Sequence, residues 1–539
     1  MKLSIASLSD QSGWKQADVR VPGFDVPATI ARTREAPIWV HFGAGNIFRG
    51  MIAVYMQRLL EAGLTDRGIV AVVRDPDTVR QIFAPHDNLT LNVLLGADGS
   101  LDAELIASVA ETLALDAADA AAWTRAEEIF QSPSLQIVSF TITEKGYALR
   151  GTDGTLLPVV KADIKNGPGK TGHTMSTVAG LLYRRYLAGG YPLAVVSMDN
   201  CSSNGTRLAA SIREVAEGWQ RAGFVDAGFL SYLADENKVS YPWTMIDRIT
   251  PRPDEAVAQI LAQRGIVGMN PIVTKNNTFI APFVNAERAE YLIIEDDFPA
   301  GRPPLEKSGV YLTNRETVNQ IEKMKVTTCL NPLHTAMSVY GCLLGYTRIS
   351  EEMKDSDIVA LIRRLGYVEG LPVVTDPGIV SPRAFLDEVV NERLPNPFMP
   401  DAPQRIATDT SQKVPIRFGE TIKSYAAQGL DIEALVAIPL SIAGWLRYLL
   451  AVDDQGQDMT VSADPLLDEL QAKLDGVIWN NPSSYTGQIR DILRNEMIFG
   501  SDLTKTPLAD KIEEMFIELL AGPGAVRNTL RRCMRQGDV

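Results

Sequence analysis

Apolar runs that alternate with helical patterns are the feature that most constrains the fold of this chain. The runs IWVHF, IVAVV, LQIVSF and LAVVS recur between about residues 36 and 197, and segments with apolar residues at helical spacing separate them. The runs are apolar throughout, which is typical of strands in a parallel sheet that helices cover on both faces. This pattern predicts an α/β fold whose ligands bind at the carboxyl ends of the strands.

The pattern changes in the second half of the chain. Short apolar pieces with Asn, Pro and Gly run from about residue 268 to 313, and apolar residues at helical spacing dominate beyond them. We therefore predict an α/β domain with an extended excursion over 1–308 and a mostly α-helical domain over 309–539. The apolar stretch 434–446 is shorter than the roughly 20 residues of a membrane span, so we expect a buried helix. We expect the Ala/Asp-rich segment 113–123 to form a surface helix.

Composition and charge restrict the partners. The 539 residues are 45% hydrophobic and 22% charged, as in ordinary globular proteins, and carry a net charge of −14. Because phosphate binding requires clustered Lys and Arg, this acidity argues against nucleic acid and anionic membranes and favours a small-molecule partner. The N-terminus lacks a secretory pattern, so we expect a cytoplasmic protein. Nothing in the sequence specifies an oligomeric state.

Four cysteines bear on the compartment and on metal binding. They are scattered, with no CxxC pair, at positions Cys201, Cys329, Cys342 and Cys533. This spacing favours reduced thiols over disulfides or a zinc site. We expect most of them to be small buried side chains.

A glycine turn follows the first predicted strand. Gly43-Ala44-Gly45 leads into a segment with apolar residues at helical spacing as far as Leu59. In such a turn the first glycine permits the tight bend and the second lets the backbone approach a pyrophosphate, while the helix N-terminus offers unpaired N–H groups. Phe48 takes the place of the third glycine of the common GxGxxG pattern, so plain turn glycines are the alternative interpretation.

The second strand ends in two charged residues, Arg74 and Asp75. In dinucleotide-binding proteins an acid at this position accepts hydrogen bonds from the adenosine ribose hydroxyls. Asp75 therefore favours NAD as cofactor. Arg74 can neutralise a 2′-phosphate, which keeps NADP open.

Polar segments follow the later strands and the predicted domain junction. TEKGY and SMDN come after strands, MIDRITP lies further on, and EKMKVTTCLNPLHT gathers a lysine, an amide and an imidazole over 322–335. Ketone reduction needs a hydride donor, a proton source and hydrogen-bond donors aimed at a developing alkoxide. These segments supply a candidate for each protein group that this chemistry requires.

With these segments the chain resembles the polyol-specific long-chain dehydrogenases, the mannitol dehydrogenase family. The resemblance extends over about residues 36 to 530 and depends on blocks in the family's order: HFGAGNIFRG, TITEKGY, VVSMDNCSSNG, MIDRITP, IIEDDFPAGRP, KVTTCLNPLHT and RIATDTSQK. It implies a Rossmann-type N-terminal domain, a mostly α-helical C-terminal domain and oxidoreductase chemistry with NAD and without a metal.

The resemblance also implies roles for residues that match the family's motifs. Lys325 is the expected general acid/base, Asn200 and Asn331 are expected to hold the reacting oxygen, and His334 is expected to contact substrate. The further expected substrate contacts are Asp247, Arg405 and Lys413. The expected cofactor contacts are Gly43, Gly45, Asn46, Ile47, Arg49, Asp75 and Lys145.

The chain departs from the family pattern in two places. Five residues separate Lys325 from Asn331, where the mannitol enzymes usually have four, so we predict a one-residue bulge. Lys323 is the alternative base, although its spacing fits the family's pattern worse. Lys325 must be partly buried to lose enough affinity for its proton to exchange it readily near neutral pH. Ile47-Phe48 replaces the usual Phe-His before the arginine, which is expected to alter packing near the cofactor. His41 in the first strand is expected to be structural.

The expected substrate is a sugar acid or a polyol. The KVTTCLNPLHT variant and the cations at 405 and 413 favour a hexuronate, with reduction of D-fructuronate to D-mannonate first and tagaturonate reduction or mannitol oxidation as alternatives. An epimerase that retains NAD and a nucleotide-sensing module without catalysis are alternatives of other classes. Glu322 is either a proton relay to Lys325 or a member of a surface ion pair.

Overall fold

The structure is a computed structural model that describes residues 1–116, 119–275, 277–399 and 401–535. Its internal contacts divide the chain into two compact units. The first unit comprises Met1–Leu95 and Ser100–Asn319, and the second comprises Gly96–Gly99 and the residues from Gln320 onward.

Strands are concentrated in the first unit. They are β1 Val19–Arg20, β2 Trp39–Phe42, β3 Ile69–Val73, β4 Thr90–Leu95, β5 Leu101–Ile106, β6 Val109–Ala114, β7 Ile137–Phe140, β8 Leu193–Ser197, β9 Val239–Ser240, β10 Thr244–Asp247, β11 Ile272–Val273, β12 Phe279–Ile280, β13 Phe283–Ala286, β14 Tyr291–Glu295 and β15 Tyr311–Thr313.

Helices occur throughout the chain. The α-helices are α1 Gln11–Gln16, α2 Val26–Glu35, α3 Ala53–Glu61, α4 Pro76–Thr78, α5 Ala120–Gln131, α6 Pro158–Asn166, α7 Thr174–Leu187, α8 Asn204–Arg221, α9 Ala227–Ala234, α10 Glu255–Gln263, α11 Arg315–Met324, α12 Asn331–Leu343, α13 Ile349–Glu352, α14 Ser356–Arg363, α15 Pro382–Glu388, α16 Pro403–Ile406, α17 Thr410–Val414, α18 Glu420–Gln428, α19 Ala437–Tyr448, α20 Leu467–Lys473, α21 Gln488–Leu493, α22 Glu496–Phe499, α23 Leu508–Leu519 and α24 Ala525–Arg535. Turns of π-helix span Phe48–Ile52, Val79–Phe83, Lys325–Cys329, Arg364–Gly370, Val389–Arg393 and Pro415–Gly419. Turns of 3₁₀-helix span Ile5–Ser9, Ala84–His86, Glu144–Gly146, Leu305–Ser308, Leu371–Val373, Pro482–Ser484 and Leu503–Lys505.

A parallel sheet with the strand order β6-β3-β2-β7-β8-β9 forms the centre of the first unit. Successive residues of its strands face opposite sides, so Val40 and Phe42 pack with α5, α7 and α8, whereas Trp39 packs with α3. The chain runs outward in opposite directions from β2 and β7. This reversal of strand order creates a crevice at the carboxyl ends of the two strands, where ligands bind in such sheets. The predicted Rossmann-type domain is confirmed.

The prediction of a helix over the whole of 113–123 was wrong at its start. Leu113 and Ala114 belong to the edge strand β6 and pair with Val72 and Val73 of β3. The helical part begins at Ala120, and residues 117 and 118 lie outside the described residues. Alanine is the strongest helix former, but helix propensity is a weak preference, and pairing along a sheet edge overrides it here.

The predicted excursion consists of short strands. β11 and β12 pair as a hairpin, β14 lies between β10 and β15, and β13 joins a second sheet in the order β1-β5-β4-β13. The hairpin of β4 and β5 in that sheet was not predicted from the sequence. Its strands pair antiparallel in continuous register from Thr90 opposite Ile106 to Leu95 opposite Leu101.

The second unit is mostly helical, as predicted. The apolar stretch forms α19, in which every residue is buried, and the carboxylate of Glu369 accepts hydrogen bonds from the N–H groups of Val436, Ala437 and Ile438 at its start. The expected buried helix is thus confirmed. No helix in the described part of the chain has the length and hydropathy needed to cross a membrane. None of the four cysteines, which all belong to the described residues, forms a disulfide, and all but the half-buried Cys201 are buried.

Candidate active site

The glycine turn lies at the carboxyl end of β2, beside the crevice of the parallel sheet. Gly43 has φ +100°, and a Cβ there would lie 2.1 Å from the carbonyl oxygen of Thr141, so no other residue fits without displacing backbone. A Cβ on Gly45 would meet no atom within 4 Å. The turn therefore leaves open space over Gly45, next to the start of a helix, which is where a pyrophosphate is expected.

Asp75 follows the end of β3 and offers a free acceptor. Its Oδ1 accepts a hydrogen bond of 3.0 Å from the N–H of Asp77, whereas its Oδ2 is buried and has no partner among the described residues. A buried acceptor without a donor costs about 1 to 3 kcal/mol, which ribose hydroxyls recover when they donate to it. The open space over Gly45 and the free Oδ2 of Asp75 both fit a dinucleotide.

The predicted cofactor residue Arg49 is completely buried. Its guanidinium donates to the carbonyl oxygen of Ala281 (2.6 Å) and to Oδ1 of Asn46 (3.0 Å), and Asn46 in turn donates to the carbonyl oxygen of Pro251 (3.0 Å). Burial lowers the pKa of Arg49 to about 9. The arginine holds Asn46, and direct contact between its side chain and a cofactor stays a prediction. Ile47 is half-buried beside it.

The departure at Phe48 changes the packing under the turn. The Phe48 ring stacks on the His41 ring with a centroid separation of 4.2 Å. His41 lies between the hydroxyls of Ser139 (2.7 Å) and Thr141 (2.8 Å), and burial lowers its pKa to about 3. A neutral imidazole fixed on both ring nitrogens fits the structural role expected for His41.

Asp199 organises the loops after β7 and β8, and sequence reasoning missed it. Its carboxylate accepts hydrogen bonds from the N–H groups of Ile142 and Thr143, both 2.9 Å, and from the hydroxyl of Tyr147 (2.6 Å). These bonds hold Thr143 at φ +66°, a conformation that residues other than glycine rarely adopt. The signal available in the sequence was an acid and a tyrosine at the ends of neighbouring strands.

The other predicted residues of the first unit lie on or near these loops. Lys145 and Asn200 are exposed, the first on the loop after β7 and the second next to Asp199. Asp247 is buried at 7% exposure at the end of β10, opposite Tyr291 of β14.

Lys325 is the buried lysine of the second unit. It is 4% exposed at the start of a π-helical turn, whereas the alternative base Lys323 is exposed. The N–H of Leu330 donates to the carbonyl oxygen of Lys325 at 3.1 Å. This i→i+5 bond takes one residue more than an α-helical turn, so the predicted bulge is present. The expected burial of Lys325 is likewise confirmed.

Asn331 and His334 follow on the first turn of α12, and both are half-buried. Burial of the imidazole lowers the pKa of His334 to about 4. The negative charge of Asp401 raises this pKa, whereas the positive charges of three arginines lower it further: Arg417, Arg393 and Arg405. His334 is therefore neutral near pH 7. A neutral imidazole offers one donor and one acceptor to a substrate hydroxyl.

The predicted cations Arg405 and Lys413 already have partners within the second unit. Arg405 is exposed and forms an ion pair with Asp401. Lys413 donates to the carbonyl oxygens of Ile406 (3.0 Å) and Thr408. Sequence reasoning missed Arg417, whose guanidinium donates to the hydroxyl of Thr335 on α12.

The second unit thus brings Lys325, Asn331 and His334 together along adjoining turns, with Arg417 beside α12. The first unit combines a dinucleotide-binding sheet, a glycine turn and an acceptor for ribose hydroxyls. A Rossmann sheet with such a turn, joined in one chain to a helical unit that carries a buried lysine, an amide and an imidazole, defines a dinucleotide-dependent oxidoreductase.

Family models agree with this class. Residues 37–307 match the mannitol dehydrogenase Rossmann domain, and residues 317–520 match the mannitol dehydrogenase C-terminal domain. The chain belongs to the mannitol dehydrogenase family, and the resemblance noted in its sequence is confirmed.

Individual relatives cover nearly the whole chain. It is 48% identical to a D-mannonate oxidoreductase of Thermotoga maritima over 542 residues, which cover 100% of both chains. It is 31% identical to a mannitol 2-dehydrogenase of Aspergillus clavatus over 94% of each chain.

Solved structures of similar proteins share the fold. A D-sorbitol dehydrogenase in substrate-free form has a TM-score of 0.80 at 25% identity, over 99% of this chain and 100% of the other. The mannitol 2-dehydrogenase of Pseudomonas fluorescens, in a ternary complex with NAD and D-mannitol, has a TM-score of 0.68 at 26% identity, with the same coverage.

Proposed function

We propose that this chain catalyses the reversible reduction of D-fructuronate to D-mannonate with NADH. The observation that carries the proposal is the 48% identity to a D-mannonate oxidoreductase along the entire chain. The mannitol 2-dehydrogenase relatives are more distant, at 31% identity for the one from Aspergillus clavatus. A sugar acid is also the substrate that suits the arginine-rich surroundings of His334.

The cofactor, when bound, supplies the hydride that reduces the carbonyl carbon. The chain's own residues would bind and orient it: Gly45 at the start of the helix would leave room for the pyrophosphate, and Oδ2 of Asp75 would accept hydrogen bonds from the ribose hydroxyls. Exposed Arg74 next to Asp75 leaves NADPH as an alternative cofactor. Arg49 positions Asn46 in the turn, and Lys145 lies on the loop after β7.

The proton comes from Lys325. Its ammonium donates to the oxygen of the carbonyl group as the negative charge develops there, and the amide N–H groups of Asn200 and Asn331 stabilise the same oxygen. Neutral His334 binds a neighbouring hydroxyl, and Asp247 accepts a hydrogen bond from another. Asn200 lies in the first unit and Asn331 in the second.

The test is a substrate panel with the purified full-length chain. D-Fructuronate, D-tagaturonate and D-fructose are each offered with NADH and with NADPH, and oxidation of the nicotinamide is followed by absorbance. We expect the highest kcat/KM with D-fructuronate and NADH. A higher kcat/KM with D-fructose would contradict the proposed substrate and indicate a mannitol 2-dehydrogenase. A higher kcat/KM with D-tagaturonate would indicate a tagaturonate reductase.

The same panel distinguishes enzymes of another class. An epimerase that retains NAD returns the hydride to its substrate, so it consumes no NADH in steady state, whereas a reductase consumes one equivalent per product.

We also propose a cytoplasmic location, because scattered cysteines without disulfides fit a reducing compartment.

A further inference from the structure

Arg417 occupies a defined place beside the first turn of α12. It belongs to the π-helical turn Pro415–Gly419, which packs against α12 and against the π-helical turn that begins at Lys325. Its Nη1 donates to the hydroxyl of Thr335, and that hydroxyl donates to the carbonyl oxygen of Asn331 at 3.2 Å. The guanidinium is therefore tied to the turn that carries Asn331 and His334.

Arg417 forms no ion pair with a carboxylate among the residues that the structure describes, whereas Arg405 is paired with Asp401. Burial lowers the pKa of Arg417 to about 10. A desolvated cation is costly, and an anion that binds to it recovers part of that cost.

The neighbouring cation Lys413 does not fill this role as well. Two of its three N–H groups already donate to the carbonyl oxygens of Ile406 and Thr408. Lys413 on α17 and Arg417 on the adjoining π-helical turn are four residues apart, and after burial itself the charge of Arg417 is the largest influence that lowers the pKa of Lys413. Arg417 therefore extends a positively charged region while remaining half-buried, and so within reach of a small ligand.

We propose that Arg417, rather than Arg405 or Lys413, binds the carboxylate of the sugar acid and so selects an acid over an uncharged polyol. A guanidinium matches a carboxylate with two parallel hydrogen bonds, which a lysine cannot offer. This inference rests on the proposed function, because it assumes a substrate with a carboxylate.

The test compares Arg417→Gln with Arg405→Gln, which removes the rival cation. For reduction of D-fructuronate we expect Arg417→Gln to raise KM by about 10- to 100-fold with a smaller change in kcat, the range of a charged hydrogen-bonded contact. Because Arg405 is itself an expected substrate contact, Arg405→Gln is the rival variant, and we expect it to raise KM less than Arg417→Gln does. Arg494→Gln, which removes an exposed arginine paired with Asp491, is the control and is expected to leave KM unchanged. An unchanged KM in Arg417→Gln, or a larger effect in Arg405→Gln, overturns the inference.

A pair of inhibitors isolates the carboxylate itself. D-Mannonate and D-mannitol differ by a carboxylate in place of a hydroxymethyl group, and the ratio of their inhibition constants against D-fructuronate measures its contribution. We expect Arg417→Gln to reduce the preference for D-mannonate at least tenfold, and an unchanged ratio overturns the inference. Should that variant not fold, Arg417→Lys takes its place with an expected reduction of at least threefold, and an unchanged ratio again counts against Arg417.

The two proposals fail in different ways. If the wild-type chain does not reduce D-fructuronate, the proposed function fails before any variant is made. If it does and the Arg417 variants keep the wild-type preference, only the role of Arg417 fails. Thermal unfolding and NADH binding of each variant show whether a loss reflects misfolding.

Discussion

The N–H of Leu330 donates to the carbonyl oxygen of Lys325 at 3.1 Å and closes a π-helical turn between the buried lysine and α12. The turn absorbs the extra residue that separates Lys325 from Asn331. Single π-helical turns within α-helices frequently occur at functional sites, because they redirect a side chain without ending the helix. Here the turn leaves Lys325 at 4% exposure, while Lys323, two residues earlier, faces solvent.

This difference in burial separates the two candidate bases by experiment. We expect Lys325→Ala to lower kcat by at least about a hundredfold, the low end of the range for a general acid, while NADH affinity stays within about twofold. Lys323→Ala is the matched control and is expected to retain most of the activity. Steady-state kinetics and a fluorescence titration with NADH measure the two quantities. Activity of Lys325→Ala within tenfold of wild type assigns the proton transfer to another group.

The two glycines of the turn differ in what surrounds them. Gly45→Ala adds a methyl group to open space, so we expect the variant to unfold near the wild-type temperature. We expect its NADH affinity to be at least tenfold weaker, because the methyl group takes the space that the pyrophosphate needs. Gly43→Ala forces a Cβ against the backbone of Thr141 and is expected to destabilise the first unit. Thermal unfolding and NADH titration distinguish the two, and unweakened NADH binding by Gly45→Ala argues against a pyrophosphate there.

Asp75 offers a test of the coenzyme preference. Asp75→Asn keeps an oxygen that can accept from the N–H of Asp77 but removes the negative charge that ribose hydroxyls would bind. We expect the KM for NADH to rise about tenfold and the KM for NADPH to rise less or to fall. Arg74→Ala is the companion variant and is expected to affect NADPH more than NADH. If the ratio of the two KM values is unchanged in Asp75→Asn, the interpretation of the second strand is wrong.

Glu352 predicts a pH dependence of stability in the second unit. It is fully buried, both carboxyl oxygens lack a hydrogen-bond partner among the described residues, and burial raises its pKa to about 9 from an ordinary 4.5. Between those values the folded protein keeps a proton that the unfolded chain releases. The contribution of Glu352 to the free energy of unfolding is therefore complete below about pH 4.5. It declines by about 1.4 kcal/mol per pH unit as the pH rises towards 9.

Glu352→Gln preserves the neutral shape and removes this dependence. We expect the variant to match wild type near pH 5 and to be more stable at pH 8, as measured by urea unfolding at both values. Glu351→Gln is the control, because Glu351 is exposed and pairs with Lys354 at the surface. A wild-type pH slope in Glu352→Gln contradicts a protonated Glu352.

Much of this protein was predictable from local sequence. Apolar runs identified the strands β2, β3, β7 and β8, because a strand buried on both faces must be apolar at every position. The glycine turn was readable because Gly43 requires a backbone conformation that other residues avoid. The extra residue before Asn331 predicted a bulge. The edge strand β6 was missed because its alanines suggest a helix and its partner strand lies far away in sequence.

The sequence by itself determined the fold class, the order of the strands along the chain and the glycine turn. It also identified Asp75 after the second strand and the block that carries a lysine, an asparagine and a histidine. Each of these features depends on residues that are near one another in the chain. Only the tertiary structure revealed that Asp199 holds Thr143, that Arg49 is buried behind Asn46 and that Arg417 lies beside Thr335 with no acidic partner in the described part of the chain. Those relationships join residues from different elements. Their burial and charge balance exist only after the elements have packed.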